Sequence, residues 1–380
     1  MTTRPTDHAN RNLADLHRQV VRGASGGQII WQPRISCWVN DKRFAGEKLP
    51  EPFDGMSYPE MYRELKCSPR MYDFNACYRR VEDPQVTGRH EQLNETDTLA
   101  VIETPVGTQT AVTRKTTSSY AQRHLKREIE SEAEMRVATW RTERVTWEWD
   151  QATYDKLSDQ WGELGLPTMF VPRVNMQDLF INTMGVENAI YALADYPDTV
   201  HAYFRALDEC HDRMIDVIND SPIEVINFGD NVHCGTLPPP LFTKYVLPAY
   251  QRRCERLHAA GKFVHSHWDG DTKALLPLAK ETGLDGIEAI TPKPQGDVTL
   301  EEIKEGLGDD LFLIDGLPAI YFDRTFSEEV LADCTRRLID LFAPKLILGI
   351  SDEISSTGDI ERIRLVGGIV DDYNAGCGAG

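Results

Sequence analysis

A chain of 380 residues is too long for one small domain, yet it suits one large barrel with insertions. Its 41% hydrophobic and 27% charged residues are those of an ordinary globular protein, and no apolar run approaches the roughly 20 residues that cross a bilayer. The formal charge of -19 works against nucleic acid and anionic membranes, which both demand clustered Lys and Arg, so neither is an expected partner.

Taken in chain order, the polar segment Met1–Asn10 has no apolar stretch of a secretory kind, and the expectation is a cytoplasmic protein. The first strand is Gln28–Trp31. Residues 35–165 then break the pattern with a hairpin, Leu99–Thr104 and Gln109–Thr113, turned by Pro105-Val106-Gly107, and a polar helix over Arg123–Glu143 with Trp140, Trp147 and Trp149 at and beyond its end. This stretch reads as an elaboration over a barrel mouth, within a single domain spanning 1–380. Beyond it, β-branched runs alternate with helices whose apolar residues recur at i, i+3, i+4 and i+7. The strands are Thr168–Val171, Ile223–Phe228, Lys262–His265, Gly286–Ile290, Leu311–Ile314 and Lys345–Ile350; the helices are Phe242–His258, Thr272–Thr282, Leu300–Leu307, Ser327–Phe342 and Gly358–Tyr373. Thr299 and Ser327 stand where helix caps belong. The alternation predicts a parallel sheet and an α/β fold, a (β/α)8 TIM-type barrel with an inserted hairpin and helical elaboration after the first strand, one strand of which is not legible. The eight cysteines form no Cys-x-x-Cys pair and are expected to be reduced thiols.

The sharpest chemical feature is Lys262-Phe-Val-His265-Ser-His267-Trp-Asp269, a strand with two histidines two residues apart at its carboxyl end. In an extended chain such residues face the same side about 6.5 Å apart, so both imidazoles can converge on one ion. A catalytic metal centre wants a third protein ligand, and the last strand runs into Ser351-Asp352-Glu353. His265, His267 and Asp352 or Glu353 are therefore the candidate metal ligands; the alternative for the two acids is a helix cap. Other strand ends are loaded as well. Asp230, Asn231 and His233 follow one strand, Glu288 lies on another, Asp315 follows Ile314, and Arg173 follows Val171. Each alone is more often structural than catalytic, but their gathering at one barrel face is what an active site looks like.

The segments Thr104-Pro-Val-Gly107, Phe228-Gly-Asp-Asn231, Lys244-Tyr-Val-Leu-Pro248, His265-Ser-His267 and Leu348-Gly-Ile-Ser-Asp352 resemble the uroporphyrinogen decarboxylase superfamily, specifically its zinc-dependent, corrinoid-linked methyltransferases. Those enzymes carry a His-x-Cys pair with a distant second Cys; here His267 and Ser351-Asp352-Glu353 stand in the cysteine positions. The resemblance implies Zn2+ as cofactor, with iron as the other metal such a donor set suits, and a corrinoid on a separate partner protein. It implies the demethylation of a small methylated substrate, an O-methyl compound by the charge of the donor set, with the methyl group passed to the corrinoid. In that reading Asp230, His233 and Glu288 are catalytic, and Arg34, Arg173, Asn231 and Asp315 bind substrate. Three other functions compete: a metal-dependent hydrolase of the amidohydrolase type, a lyase like the decarboxylase itself, and a non-enzymatic binding protein that kept the barrel and lost the chemistry, for which the missing cysteines argue. The late position of the His-x-His pair counts against the hydrolase.

Overall fold

The computed structural model describes residues 12–117 and 122–377. Its centre is a parallel sheet in the spatial order Ile30–Trp31, Leu346–Ser351, Phe312–Pro318, Gly286–Glu288, Phe263–Trp268, Val225–Val232, Thr168–Val171. All seven predicted strands are present, several running further toward their carboxyl ends than their apolar runs indicate. The two outermost strands do not pair with each other. An irregular stretch fills the gap between them: Ser68 N–H donates to Trp31 O at 3.0 Å, Gln32 Nε2 donates to Pro69 O at 3.0 Å, and Met71 makes a parallel bridge to Pro167. Cys67–Met71 thus occupies the position of the eighth strand. Pro69 has no N–H for a ladder, which explains why this stave is irregular and why its sequence does not read as a strand.

Strand alternation sorts the side chains into two layers. Phe263 packs inside the barrel with Val225, Phe312 and Ile347, while Val264 and Trp268 belong to the apolar layer beneath the helices. The amino end of the barrel is plugged by helix Leu13–Val21, whose Leu16 and Val20 join that interior cluster. Burial of two such aliphatic side chains contributes about 3–6 kcal/mol. The plugged end leaves the carboxyl face as the open one.

Helix Leu300–Leu307 has the expected bounds, with Thr299 and Glu302 in a reciprocal capping box. Ser327 precedes helix Glu328–Phe342 as anticipated. Two expectations need correction. Thr272–Thr282 yields only the short 3-10 turn Leu276–Glu281, since Pro277 lacks the N–H that an α-helix would need there. Arg123–Glu143 is split: Gln122–Lys126 pairs as a strand with Gly107–Lys115, and the helix is Glu132–Arg144, capped by Ser131. The hairpin belongs to a four-stranded antiparallel sheet, Thr87–Gln92, Asp97–Thr104, Gly107–Lys115 and Gln122–Lys126. Helix Glu132–Arg144 lies along helix Pro197–Asn219, and Ile129 N–H donates to Thr183 O at 2.9 Å. The elaboration is thereby fixed to the flank of the barrel beside the carboxyl end of Thr168–Val171. All eight cysteines are free thiols, and no described helix is long and apolar enough to cross a membrane. Met1–Asn10 lies outside the described residues.

Candidate active site

The alternation that turns Val264 and Trp268 outward points Phe263, His265 and His267 inward. Their register sets His267 opposite Glu288 on the neighbouring strand. Glu288 is fully buried and lies between the two imidazoles: its Oε1 is 3.1 Å from His267 Nδ1, and its Oε2 is 3.1 Å from His265 Nδ1. The first contact has hydrogen-bond alignment; the second does not, leaving His265 Nδ1 buried without a hydrogen-bond partner. The same carboxylate takes Arg70 Nη1 at 2.5 Å and Asn227 Nδ2, and has Arg34 Nη1 at 3.7 Å. Asn227 also donates to Tyr72 Oη at 3.0 Å. Arg70 closes a second pair on Asp315, with Nη2 to Oδ1 at 2.7 Å and Nη1 to Oδ2 at 3.2 Å.

Charge separates the roles of these groups. Burial disfavours ionised Glu288, yet Arg70 and the two imidazoles hold it well below the usual carboxylate range. Burial also pulls down both histidines. His265 stays below its ordinary value, whereas the hydrogen bond and charge of Glu288 outweigh burial at His267 and raise it. Burial lifts Asp315 to about 6 against the opposing charge of Arg70. His267 is therefore the side chain held ready to carry a proton.

The backbone marks the same face. Among the described residues, the non-glycine positions with positive φ are Lys66, Asn231 (50°), Ala289 (67°), Asp315 (76°) and Asp352 (128°). Asn231, Ala289 and Asp352 lie at the carboxyl ends of barrel strands and Asp315 midway along one, and strain of this sort is characteristic of functional sites. Gly349 is required here by space: a Cβ on it would lie 2.2 Å from Asp315 Oδ1 and 3.0 Å from Gln32 O.

The sequence-predicted residues divide as follows. His265, His267, Glu288, Arg34 and Asp315 come together. Arg173 and Asn231 form a neighbouring pair, with Arg173 Nη2 donating to Asn231 Oδ1 at 2.8 Å. Asp230, expected to be catalytic, instead faces the helix layer, one residue out of step with inward Asn227. It accepts from Val174 N–H at 2.9 Å and from Tyr250 Oη at 2.6 Å, tying a loop and a helix to the strand. His233 turns to its own loop, with Nε2 3.1 Å from Thr236 Oγ1. Neither expected third metal ligand reaches the histidines. Asp352 is paired with Arg34, whose Nε also donates to Asp352 O at 2.7 Å. Glu353 accepts from Ser36 Oγ at 2.5 Å and Cys37 N–H at 2.6 Å, so it caps helix Ser36–Phe44. Capping was the alternative considered for these acids, but the helix capped is the one after the first strand. Arg70, Asn227 and Tyr72 were not found from sequence: Arg70 lies on the irregular eighth stave, which no periodicity reveals.

A three-ligand metal site needs donors converging on one point about 2 Å from each. Glu288 instead presents a separate oxygen to each imidazole and is already matched by Arg70. Among the described residues no group of three His, Cys, Asp or Glu side chains is placed to hold an ion. As placed, these residues do not form the three-donor centre that the resemblance implied.

Fold and site together define a TIM-type barrel whose carboxyl face holds a buried acid–base cluster. Residues 178–312, which carry His265, His267 and Glu288, match the family model of uroporphyrinogen decarboxylase. Among solved structures the chain is similar to a methyltransferase from Methanosarcina mazei, at 9% identity and TM-score 0.57, over 93% of this chain and 97% of that one. It also matches a chitinase from Flavobacterium johnsoniae, at 12% identity and TM-score 0.37, over 61% of this chain and 83% of that one. No curated protein matches it by sequence.

Proposed function

We propose that this chain is a methyltransferase of the uroporphyrinogen decarboxylase superfamily, which removes the methyl group of a small O-methyl compound and passes it to a corrinoid on a separate protein. The observation that carries this reading is the His267–Glu288 pair at the open face. Cleaving an unactivated methyl ether leaves an oxygen that must be protonated as the C–O bond breaks, and a positioned acid is the group that does so. His267 Nδ1 faces Glu288, so Nε2, which has the Asp269 carboxylate 3.9 Å away, is the atom that gives its proton to the leaving oxygen. The bonding electron pair stays on that oxygen, which departs as an alcohol or phenol. The corrinoid supplies the cobalt nucleophile that accepts the methyl group. Glu288 holds the imidazole in orientation and stabilises its cation, while Arg70 and Arg34 hold Glu288. The fold of the Methanosarcina mazei methyltransferase, shared over nearly the whole chain, supports the assignment of reaction class.

The test supplies reduced cobalamin with methoxylated aromatic and aliphatic compounds, and methylated cobalamin with thiols, and follows the cobalt spectrum in both directions. Methyl-cobalt formed from a methoxy compound is the expected result. Demethylation of methyl-cobalt by a thiol, with no methyl-cobalt from any methoxy compound, would overturn the direction. Full turnover with no cobalamin of any form would overturn the methyl acceptor.

A further inference from the structure

Contacts link the carboxyl ends of neighbouring strands into one polar ring. Arg173 donates to Asn231 at 2.8 Å, Asn231 Nδ2 lies 3.5 Å from Asp269 Oδ2, and that oxygen lies 3.9 Å from His267 Nε2. His267 continues to Glu288, and Glu288 to Arg70 and Arg34. The arginines at its two ends differ in one respect. Arg34 and Arg70 each pair with carboxylates, whereas the partners of Arg173 are the amide oxygens of Asn182, at 3.2 Å, and Asn231. Among the described residues no carboxylate pairs with Arg173, and its Nε is buried with no hydrogen-bond partner. A chain with 60 acidic side chains against 41 basic ones has no shortage of acids to place there. A guanidinium with a desolvated, unmatched N–H edge costs stability in the empty protein, and a planar anion presenting two oxygens satisfies it. Asn231 stands at positive φ, and its amide oxygen accepts from this guanidinium. Arg173, Asn231 and Asp269 are only partly buried, so a ligand at the mouth can reach them, while His267 behind them is not exposed.

We infer that Arg173 and Asn231 form an anion subsite and that the substrate carries a carboxylate or a like planar anionic group, seated there with its reacting end toward His267. This deepens the methyltransferase reading by naming the substrate class and rests on it for the identity of the reacting end. In the bound state the anion takes the Arg173 fork in place of the Asn231 oxygen, and Asn231 turns its amide N–H to the ligand. Asp269 faces His267 and so keeps an anion on the Arg173 side, while Asp230, whose carboxyl feels the charge of Arg173, is turned to the helix layer and bound by Val174 N–H and Tyr250.

The experiment is a binding titration without corrinoid, by calorimetry at fixed ionic strength. The probes are methoxyacetate and the three methoxybenzoates, each set against its neutral amide. At least one carboxylate is expected to bind more tightly than its amide, and Arg173→Ala to weaken that carboxylate about 10- to 100-fold while changing the amide less than about 2-fold, the range of a charge-assisted hydrogen-bond pair. Arg173→Lys is expected to fall between, since it keeps the charge and loses the fork. Should Arg173→Ala fail to fold, the wild-type protein still decides: carboxylate affinity must drop as salt rises from 50 to about 500 mM while amide affinity holds. Equal affinity for carboxylate and amide, an Arg173→Ala variant that loses neither, or no binding of any probe would each overturn the inference. Because no methyl transfer is read, a tight carboxylate that yields no methyl-cobalt would sink the proposed reaction and leave the subsite standing.

Discussion

Replacing Glu288 with Gln keeps the shape of the side chain and removes the one charge on which two guanidiniums and two imidazoles converge. Arg70 contacts it at 2.5 Å and Arg34 at 3.7 Å, with all three side chains almost wholly buried. At an effective dielectric near 20, one unit-charge pair about 4 Å apart is worth roughly 4 kcal/mol. Relief from desolvating the carboxylate returns part of that, and Arg70 keeps Asp315 while Arg34 keeps Asp352. Breaking a buried pair on one side commonly costs about 3–5 kcal/mol. The retained partners set the expectation for Glu288→Gln at the lower end, about 3 kcal/mol. Since the amide no longer stabilises the His267 cation, methyl transfer should also fall about 10²- to 10⁴-fold, the contribution of a positioned general acid. The assay pairs urea unfolding at pH 7 with the cobalt spectrum. His267→Asn serves as the companion variant: it removes the acid but leaves the Glu288–Arg70 pair, so activity should drop equally with a smaller loss of stability. A Glu288→Gln protein within about 0.5 kcal/mol of wild type would refute the electrostatic account. Full activity in His267→Asn would refute the acid assignment.

Gly349→Ala would place a methyl group 2.2 Å from Asp315 Oδ1 and displace that carboxylate from Arg70; the expected loss is about 3 kcal/mol, at the upper end of ordinary overpacking, read from the urea midpoint. His17, inside the plugged end, is held neutral mainly by burial and also by the charges of Arg70 and His265, its pKa falling to about 3. Because the folded value lies below the unfolded 6.5, stability from the neutral ring is fully present above pH 6.5 and is lost as pH falls toward 3. Between pH 7 and 5 the wild type should lose about 2 kcal/mol from this group, and His17→Asn should lose correspondingly less; parallel curves for the two proteins would exclude His17 as the source.

The sequence by itself determined the parallel βα architecture, because apolar strand runs and amphipathic helices carry different periods that need no tertiary information. It also determined that His265 and His267 share one face, since strand alternation fixes relative facing within a segment. What it left open was absolute facing and distant company. Asp230 looked like a catalyst because it ends an apolar strand, but its parity relative to Asn227 turns it to the helices, and only the sheet register shows which parity is inward. Glu353 and Asp352 were legible as acids at the right end of the right strand; the loop after that strand, together with helix Ser36–Phe44 and Arg34, decided that they serve a helix end and an ion pair. Arg70 left no trace in the pattern because Cys67–Met71 is a strand by position alone, its hydrogen bonds interrupted at Pro69. Closure of the barrel brings that stave beside Glu288, and with it the guanidinium that keeps the carboxylate charged between two imidazoles. That meeting depends on residues 218 apart in the chain, a separation at which local periodicity carries no information.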